Sequence, residues 1–305
     1  MSNKIKIWLQ EVRAPFFTGS IIPILLGTLV AFNQTGRIDW FYFFLTLLGG
    51  LLLHAGANVS NDYFDHLTSD DDINDEFVRP FTGGSRMIQN GLLSPREVLV
   101  GALVCFFFAG LIGIYLTYKI GFVILLLGVI GAVSGFFYTA PPFYFVSRGI
   151  GELLIGLNFG VLMTFGAYYV QTQTFSWTPV IASLPVAFLI MAILFINEFQ
   201  DYKADKQVGK NHWVVRLGRE KAANGYMLIM FLTYLSLVLG VVTEVLPPVS
   251  LIGLFTLPMA IKSVIVARNF YHDSIKLVPA NATTIMNHLI TGLLLSISLI
   301  IDKYI

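Results

Sequence analysis

The sequence predicts an all-α membrane protein of about nine transmembrane helices around a central cavity. Three observations carry this. Hydrophobic residues make up 56% of the 305 and charged residues only 12%, about half the charged share of a soluble domain. Apolar residues fall into runs long enough to cross a bilayer. Basic residues crowd into the connections on one side.

The start, MSNKIKIWLQEVRAP, is polar and basic and leads into a first run at about 14–33. It lacks a small-residue cleavage pattern, so a retained helix is expected rather than a removed signal. The second run, at about 41–60, ends in Asn58-Val-Ser-Asn-Asp62-Tyr-Phe-Asp65. A long connection, 61–96, follows, with Asp70-Asp71-Asp72, Arg79 and Arg86. Its three aspartates read as a solvated acidic patch. Ser94-Pro95-Arg96-Glu97 reads as a capping box opening the third run, about 97–117. Cys105, the only cysteine, lies inside that run, so no disulfide or cysteine-based metal site forms within the chain.

The fourth run, about 121–139, stops before Pro141-Pro142, and the fifth follows at about 150–171. The sixth, about 179–197, ends in Asn197-Glu-Phe-Gln-Asp201-Tyr-Lys-Ala-Asp205. A second long connection, 198–224, carries Lys210. Runs at about 225–243, 247–267 and 284–301 complete the set, with Pro247-Pro248 as a further break. Residues 1–305 read as one transmembrane domain. The two Asn-x-x-x-Asp runs hint at a four-helix internal repeat, about 14–140 and 150–268, plus a final helix.

Nine spans put the termini on opposite sides. With a cytoplasmic N-terminus, only Arg37, Lys119 and Lys303 of the 19 basic residues fall on the far side. Both acidic runs then face the cytoplasm. The net charge of +1 argues against a nucleic-acid partner.

Offsets of 0, 4 and 7 (Asn58, Asp62, Asp65) and of 0, 4 and 8 (Asn197, Asp201, Asp205) each put three polar side chains on one helix face. One aspartate at a helix end is explained by water. Two such triplets on apolar helices are costly unless positive charge meets them. Mg²⁺ takes hard oxygen ligands and is usually shared between carboxylates and substrate phosphates, so two opposed faces suit divalent ions around a diphosphate.

The paired runs resemble the two aspartate-rich motifs of the UbiA superfamily of intramembrane prenyltransferases. The resemblance covers essentially the whole chain. Within it, the NDYxD form, Gly83-Gly84-Ser85-Arg86, Gly209-Lys210-Asn211 and Val215-Arg216-Leu217-Gly218 resemble the branch containing 1,4-dihydroxy-2-naphthoate prenyltransferase of menaquinone synthesis. The resemblance implies Mg²⁺-dependent transfer of a polyprenyl group from its diphosphate to an aromatic acceptor through an allylic carbocation. It implies metal ligands among Asn58, Asp62, Asp65, Asn197, Asp201 and Asp205. The first motif has its carboxylates three apart where many relatives have DxxxD, so either Asp65 or His66 completes that site.

Arg13, Arg79, Arg86 and Lys210 are candidates for binding diphosphate from the side away from the metals, or are simply positive-inside charges. Lys119 is a further candidate from the far side. Tyr138, before Pro141-Pro142, is a catalytic candidate near acceptor or diphosphate; Tyr63, Tyr168 and Tyr169 either line a cavity or merely pack. Glu152 starts the fifth helix, where the dipole favours a carboxylate with or without a chemical role. Other acceptors (4-hydroxybenzoate, a tetrapyrrole, a glycerol-phosphate lipid) stay open, as does a non-enzymatic cation or metabolite transporter. A CDP-alcohol phosphotransferase would carry a DGxxAR run, which is missing.

Overall fold

Backbone groups in hydrocarbon have only one another to bond to, so each apolar run becomes a helix. The computed structural model describes residues 2–305. Helix α1 (Ser2–Glu11) precedes the first span, Ala14–Thr35, whose main part is α2 (Thr18–Thr35). Next come α3 (Trp40–Leu67), a short α4 (Asp70–Ile73), α5 (Pro95–Ile120) and α6 (Phe122–Phe136). The fifth span joins α7 (Gly151–Gly156), a π-helical turn (Leu157–Leu162) and α8 (Met163–Thr172). Then follow α9 (Thr178–Val208), α10 (Trp213–Leu217) and α11 (Arg219–Val242). A 3₁₀ segment (Pro248–Thr256) runs into α12 (Leu257–Phe270), and α13 (Val278–Tyr304) ends the chain.

All nine expected runs are helical. Among the described residues eight segments are long and apolar enough to span a membrane. The fourth, α6, has 15 residues, which at about 1.5 Å per residue is shorter than the hydrocarbon core. The capping box forms as expected: Glu97 N–H donates to Ser94 Oγ at 3.3 Å, and Ser94 N–H donates to Glu97 Oε2 at 2.9 Å.

Two boundaries differ from the sequence reading. Helix α3 runs to Leu67 and α9 to Val208, well past their apolar stretches. The helical ladder continues because the polar side chains at both ends find partners. Both acidic runs therefore stand on helix along their whole length, as the offsets of their polar residues require.

Helix α3 packs on α5, α2 on α8 and α13, and α9 on α11 and α13. The α2–α8 approach needs glycine: a Cβ on Gly27 would stand 2.0 Å from the Thr164 carbonyl oxygen. Around α9, α11, α12 and α13 the interior is filled by Phe195, Phe199 and Tyr226. The other side of the bundle is hollow. A cavity of about 500 Å³ lies between α3, α5, α6 and the fifth span, touching Ile24 of α2 and Leu194 of α9. Large apolar side chains such as Phe107, Ile114, Phe231 and Phe255 point outward, as a lipid-facing surface requires.

Candidate active site

The cavity wall is mostly aliphatic and aromatic, with Leu53, Phe106, Leu127 and Phe159 among its residues. Arg13, Asn58, Asn61 and Tyr138 add polar groups to it. Beside these, the ends of α3 and α9 and the two long loops bring six aspartates together: Asp62, Asp65, Asp70, Asp71, Asp201 and Asp205.

Asp62 is buried, pairs with the Arg13 guanidinium and accepts from Ser85 N–H at 2.9 Å. Arg13 also donates to Asn61 Oδ1 at 3.1 Å. The Ser85 contact depends on the two glycines before it, both in the left-handed region (φ +72° and +67°). A Cβ on Gly84 would lie 2.3 Å from Asp71 Oδ2 and 3.0 Å from Asp62 Oδ1, so only glycine lets the loop close on both carboxylates. Behind them Glu11 accepts from Ser85 Oγ at 2.5 Å. Burial, then the Asp62 charge, push the Glu11 carboxyl up to about 8.

Lys210 joins the two clusters. Its ammonium lies 2.8 Å from Asp65 Oδ1 and 3.6 Å from Asp205 Oδ1, and it pairs closely with Asp70. Burial alone would lower its pKa, but Asp65, Asp70 and Asp205 hold it well above the ordinary lysine value. Asp201 accepts from Asn74 Nδ2 at 2.6 Å, and Asp205 contacts His212 Nε2 at 2.9 Å. Burial pushes the His212 imidazole down to about 4, so it is neutral near pH 7 and donates through Nε2 to Asp205.

One sequence expectation needs correction. Asp70 and Asp71 are not a solvated patch: they are 4% and 5% exposed, because α4 turns them back toward Lys210 and Gly84. Arg13 pairs with Asp62, and Lys210 stands among Asp65, Asp70 and Asp205, so the charge of both offsets the acid face directly. Of the two candidates beside Asp62, Asp65 faces Lys210, whereas His66 turns away to Asp72 at 3.1 Å.

The remaining candidates divide. Arg86 donates to the Asp71 carbonyl at 2.5 Å and covers the Phe77 ring, and Arg79 donates to the Ser85 carbonyl. Both hold the first loop closed beside the cluster. Asn58 donates to the Val12 carbonyl at 3.1 Å, and Asn197 Oδ1 accepts from Asn281 at 2.8 Å. Tyr138 is on the cavity wall. Lys119 is not brought in: it stands in the last turn of α5, over the Tyr118 ring, at the end of the bundle away from the aspartates.

Sequence reasoning missed Glu11, Asn74, Glu198 and His212. Glu198 carried a signal, an acid one position off the Asn197 face in an apolar helix. Asn74 and His212 sit in loops, where periodicity says nothing.

A buried set of hard oxygens outnumbering its cations fits divalent metal ions, and Asp70 Oδ1 and Asp71 Oδ2 accept no hydrogen bond among the described residues. A sequence profile described as the UbiA prenyltransferase family matches residues 20–286. The chain is 32% identical over 268 residues to 2-carboxy-1,4-naphthoquinone phytyltransferase of Synechocystis, covering 88% of this chain and 84% of that protein. It is 25% identical over 300 residues to 1,4-dihydroxy-2-naphthoate octaprenyltransferase of Bacillus subtilis, covering 98% and 93%. Its fold matches the structure of a UbiA homolog from Archaeoglobus fulgidus bound to DMAPP and Mg²⁺, with TM-score 0.65, 16% identity and coverage of 94% and 98%. This chain is thus an integral, multi-pass membrane protein and belongs to the UbiA prenyltransferase family.

Proposed function

We propose that the protein transfers a polyprenyl group from a polyprenyl diphosphate to 1,4-dihydroxy-2-naphthoate, in quinone biosynthesis. The observation that carries this reading is the convergence of both acidic runs beside an apolar, aromatic-lined cavity. The naphthoate-directed names of the relatives from Synechocystis and Bacillus subtilis support the acceptor.

Asp62, Asp65, Asp201 and Asp205 would hold Mg²⁺, with Asn58 and Asn197 as carbonyl ligands or as orienting groups. The bound ions would neutralise the diphosphate and stabilise it as a leaving group. Arg13, Arg79, Arg86 and Lys210 then take up phosphate oxygens, and Arg13 and Lys210 exchange carboxylate partners as they do so. The allylic C–O bond breaks and diphosphate leaves with the electron pair; the carboxylate-bearing ring carbon of the acceptor attacks the allylic carbon, and its carboxylate departs as CO₂, returning the C–C bonding pair to the ring. The apolar lining of the cavity disfavours water around the cation, and faces such as Phe106 and Phe159 stabilise it. Tyr138, on the cavity wall, is assigned a contact with the acceptor or the diphosphate. The bias in basic residues supports a cytoplasmic N-terminus and cytoplasmic loops.

The test is purified protein with Mg²⁺, geranylgeranyl diphosphate and a panel of aromatic acceptors, read by mass spectrometry. The expected result is metal-dependent prenylation with loss of CO₂ from dihydroxynaphthoate. Product with another aromatic acceptor alone moves the assignment there. Bound diphosphate with no aromatic product points to a lipid acceptor, and no consumption of diphosphate removes the enzymatic reading.

A further inference from the structure

Beside the aspartates, on the side of α7 and α10, lies a second polar cluster. Glu152 opens α7, Glu198 stands on α9, and His212 is the N-cap residue of α10. Three elements distant in sequence thus meet at one point. The side chains of Glu152, Glu198 and His212 are almost wholly buried, and one ligand atom from each lies within 4.8 Å of the others.

Their hydrogen bonding leaves this cluster incomplete. Among the described residues neither oxygen of Glu198 has a hydrogen-bond partner. Glu152 uses Oε1 to accept from Trp213 N–H at 2.5 Å, while its Oε2 has no partner. Buried carboxylates without hydrogen bonds or counter-charge are strongly disfavoured.

The histidine is oriented as a ligand. Its Nδ1 accepts from Val215 N–H while Nε2 meets Asp205 at 2.9 Å, so the ring proton sits on Nε2 and Nδ1 carries a lone pair. That nitrogen is 3.4 Å from Glu198 Oε2 and receives only a long contact, also 3.4 Å, from Val215 N–H. Two lone pairs facing each other need a cation or a proton between them. The spacing suits a metal: bonds of about 2.0–2.1 Å in tetrahedral geometry put neighbouring ligand atoms about 3.3 Å apart. A carboxylate gripping the far nitrogen of a ligating histidine is also the usual support for such a bond, and Asp205 occupies that place.

We infer that Glu152, Glu198 and His212 form a binding site for a divalent transition-metal ion such as Zn²⁺, separate from the aspartate clusters. One imidazole with two carboxylates selects such an ion over Mg²⁺, which prefers oxygen and keeps its water. The ion ties the start of α7 and the loop before α10 to α9. Through His212 it sets the position of Asp205, so it is a positioning device beside the reaction site rather than part of the diphosphate grip.

The experiment is metal analysis of the full-length protein. Protein stripped with chelator is loaded with Zn²⁺ in excess Mg²⁺, desalted, and its zinc counted by mass spectrometry. The expected result is one retained zinc per chain in the wild type and in an Asp62→Asn, Asp201→Asn double variant. Glu198→Gln and Glu152→Gln should each lower zinc affinity at least tenfold, with elution and helical dichroism unchanged. No retained zinc in the wild type, or zinc lost with the aspartates but kept in Glu198→Gln, overturns the site. Should the glutamine variants fail to fold, X-ray absorption on zinc-loaded wild type decides: an imidazole shell supports the site and an all-oxygen shell refutes it. Prenyl transfer plays no part in this readout, so it can fail while the proposed reaction stands.

Discussion

The two acidic clusters look alike as sequence and are held quite differently. Asp62, on α3, meets a guanidinium and the backbone of a glycine-rich loop, with Glu11 behind it. Asp201 and Asp205, on α9, meet an asparagine and a neutral histidine, with Lys210 more distant at 3.6 Å from Asp205. The partners are also exchanged. Asn74 from the first loop serves Asp201, and Lys210 from the second loop serves Asp65 and Asp70. Similar ligand motifs thus sit in unequal fields, and each cluster is completed by the other half of the chain.

The largest effect should come from breaking either cluster outright. Asp62→Ala and Asp201→Ala should each lower kcat/KM by about 10³-fold, the scale of losing a principal electrostatic contact in a site of this kind. Groups acting as one unit are non-additive, so the double variant should be scarcely worse than either single one. Initial rates by mass spectrometry, with circular dichroism to verify folding, check this. Losses that multiply would mean the clusters work independently.

Much of this was legible in the sequence, because bilayer thickness imposes run lengths and helical period imposes faces. The nine runs, the Ser94 cap and the shared face of Asn58, Asp62 and Asp65 followed from those two constraints. Partner choice did not. Asp70 and Asp71 are buried only because α4 turns back over α3, and no periodic signal marks a four-residue helix. Lys210 and Arg13 read equally as phosphate contacts or as positive-inside charges, since pairing with Asp70 across 140 residues and with Asp62 across 49 is a tertiary fact. Lys119 shows the converse: its chemistry suited a phosphate, but its position at the far end of α5 does not bring it to the site.

A smaller effect should follow from removing the residue the clusters share. Lys210→Met leaves Asp65, Asp70 and Asp205 facing one another, and breaking a buried pair this way costs on the order of 3–5 kcal/mol. Divalent cations should offset part of that loss. The thermal midpoint of the variant should therefore fall by several degrees without metal and recover in Mg²⁺ more than the wild type gains. Activity should drop about tenfold or more, since a phosphate contact is lost too. Equal Mg²⁺ responses in both proteins would show that Lys210 does not occupy the place of a metal charge.

The smallest effect separates the clusters by pH. Glu11 belongs to the first alone, and its carboxyl is raised from 4.5 to about 8 by burial and then by Asp62. The fold therefore favours its protonated form. Below 4.5 the group is neutral folded or unfolded, and its contribution is fully present. Between 4.5 and 8 the unfolded chain loses this proton while the native state keeps it, so native stability declines as pH rises, levelling off above 8. Glu11→Gln keeps a carbonyl acceptor for Ser85 Oγ but cannot ionise. Measured without divalent metal, its thermal midpoint should match the wild type near pH 4.5 and exceed it by a few degrees above pH 8. Parallel curves for the two proteins across that window would instead place the pH-sensitive charge in the second cluster, and the asymmetry between them would lie in Asp205 and His212 rather than behind Asp62.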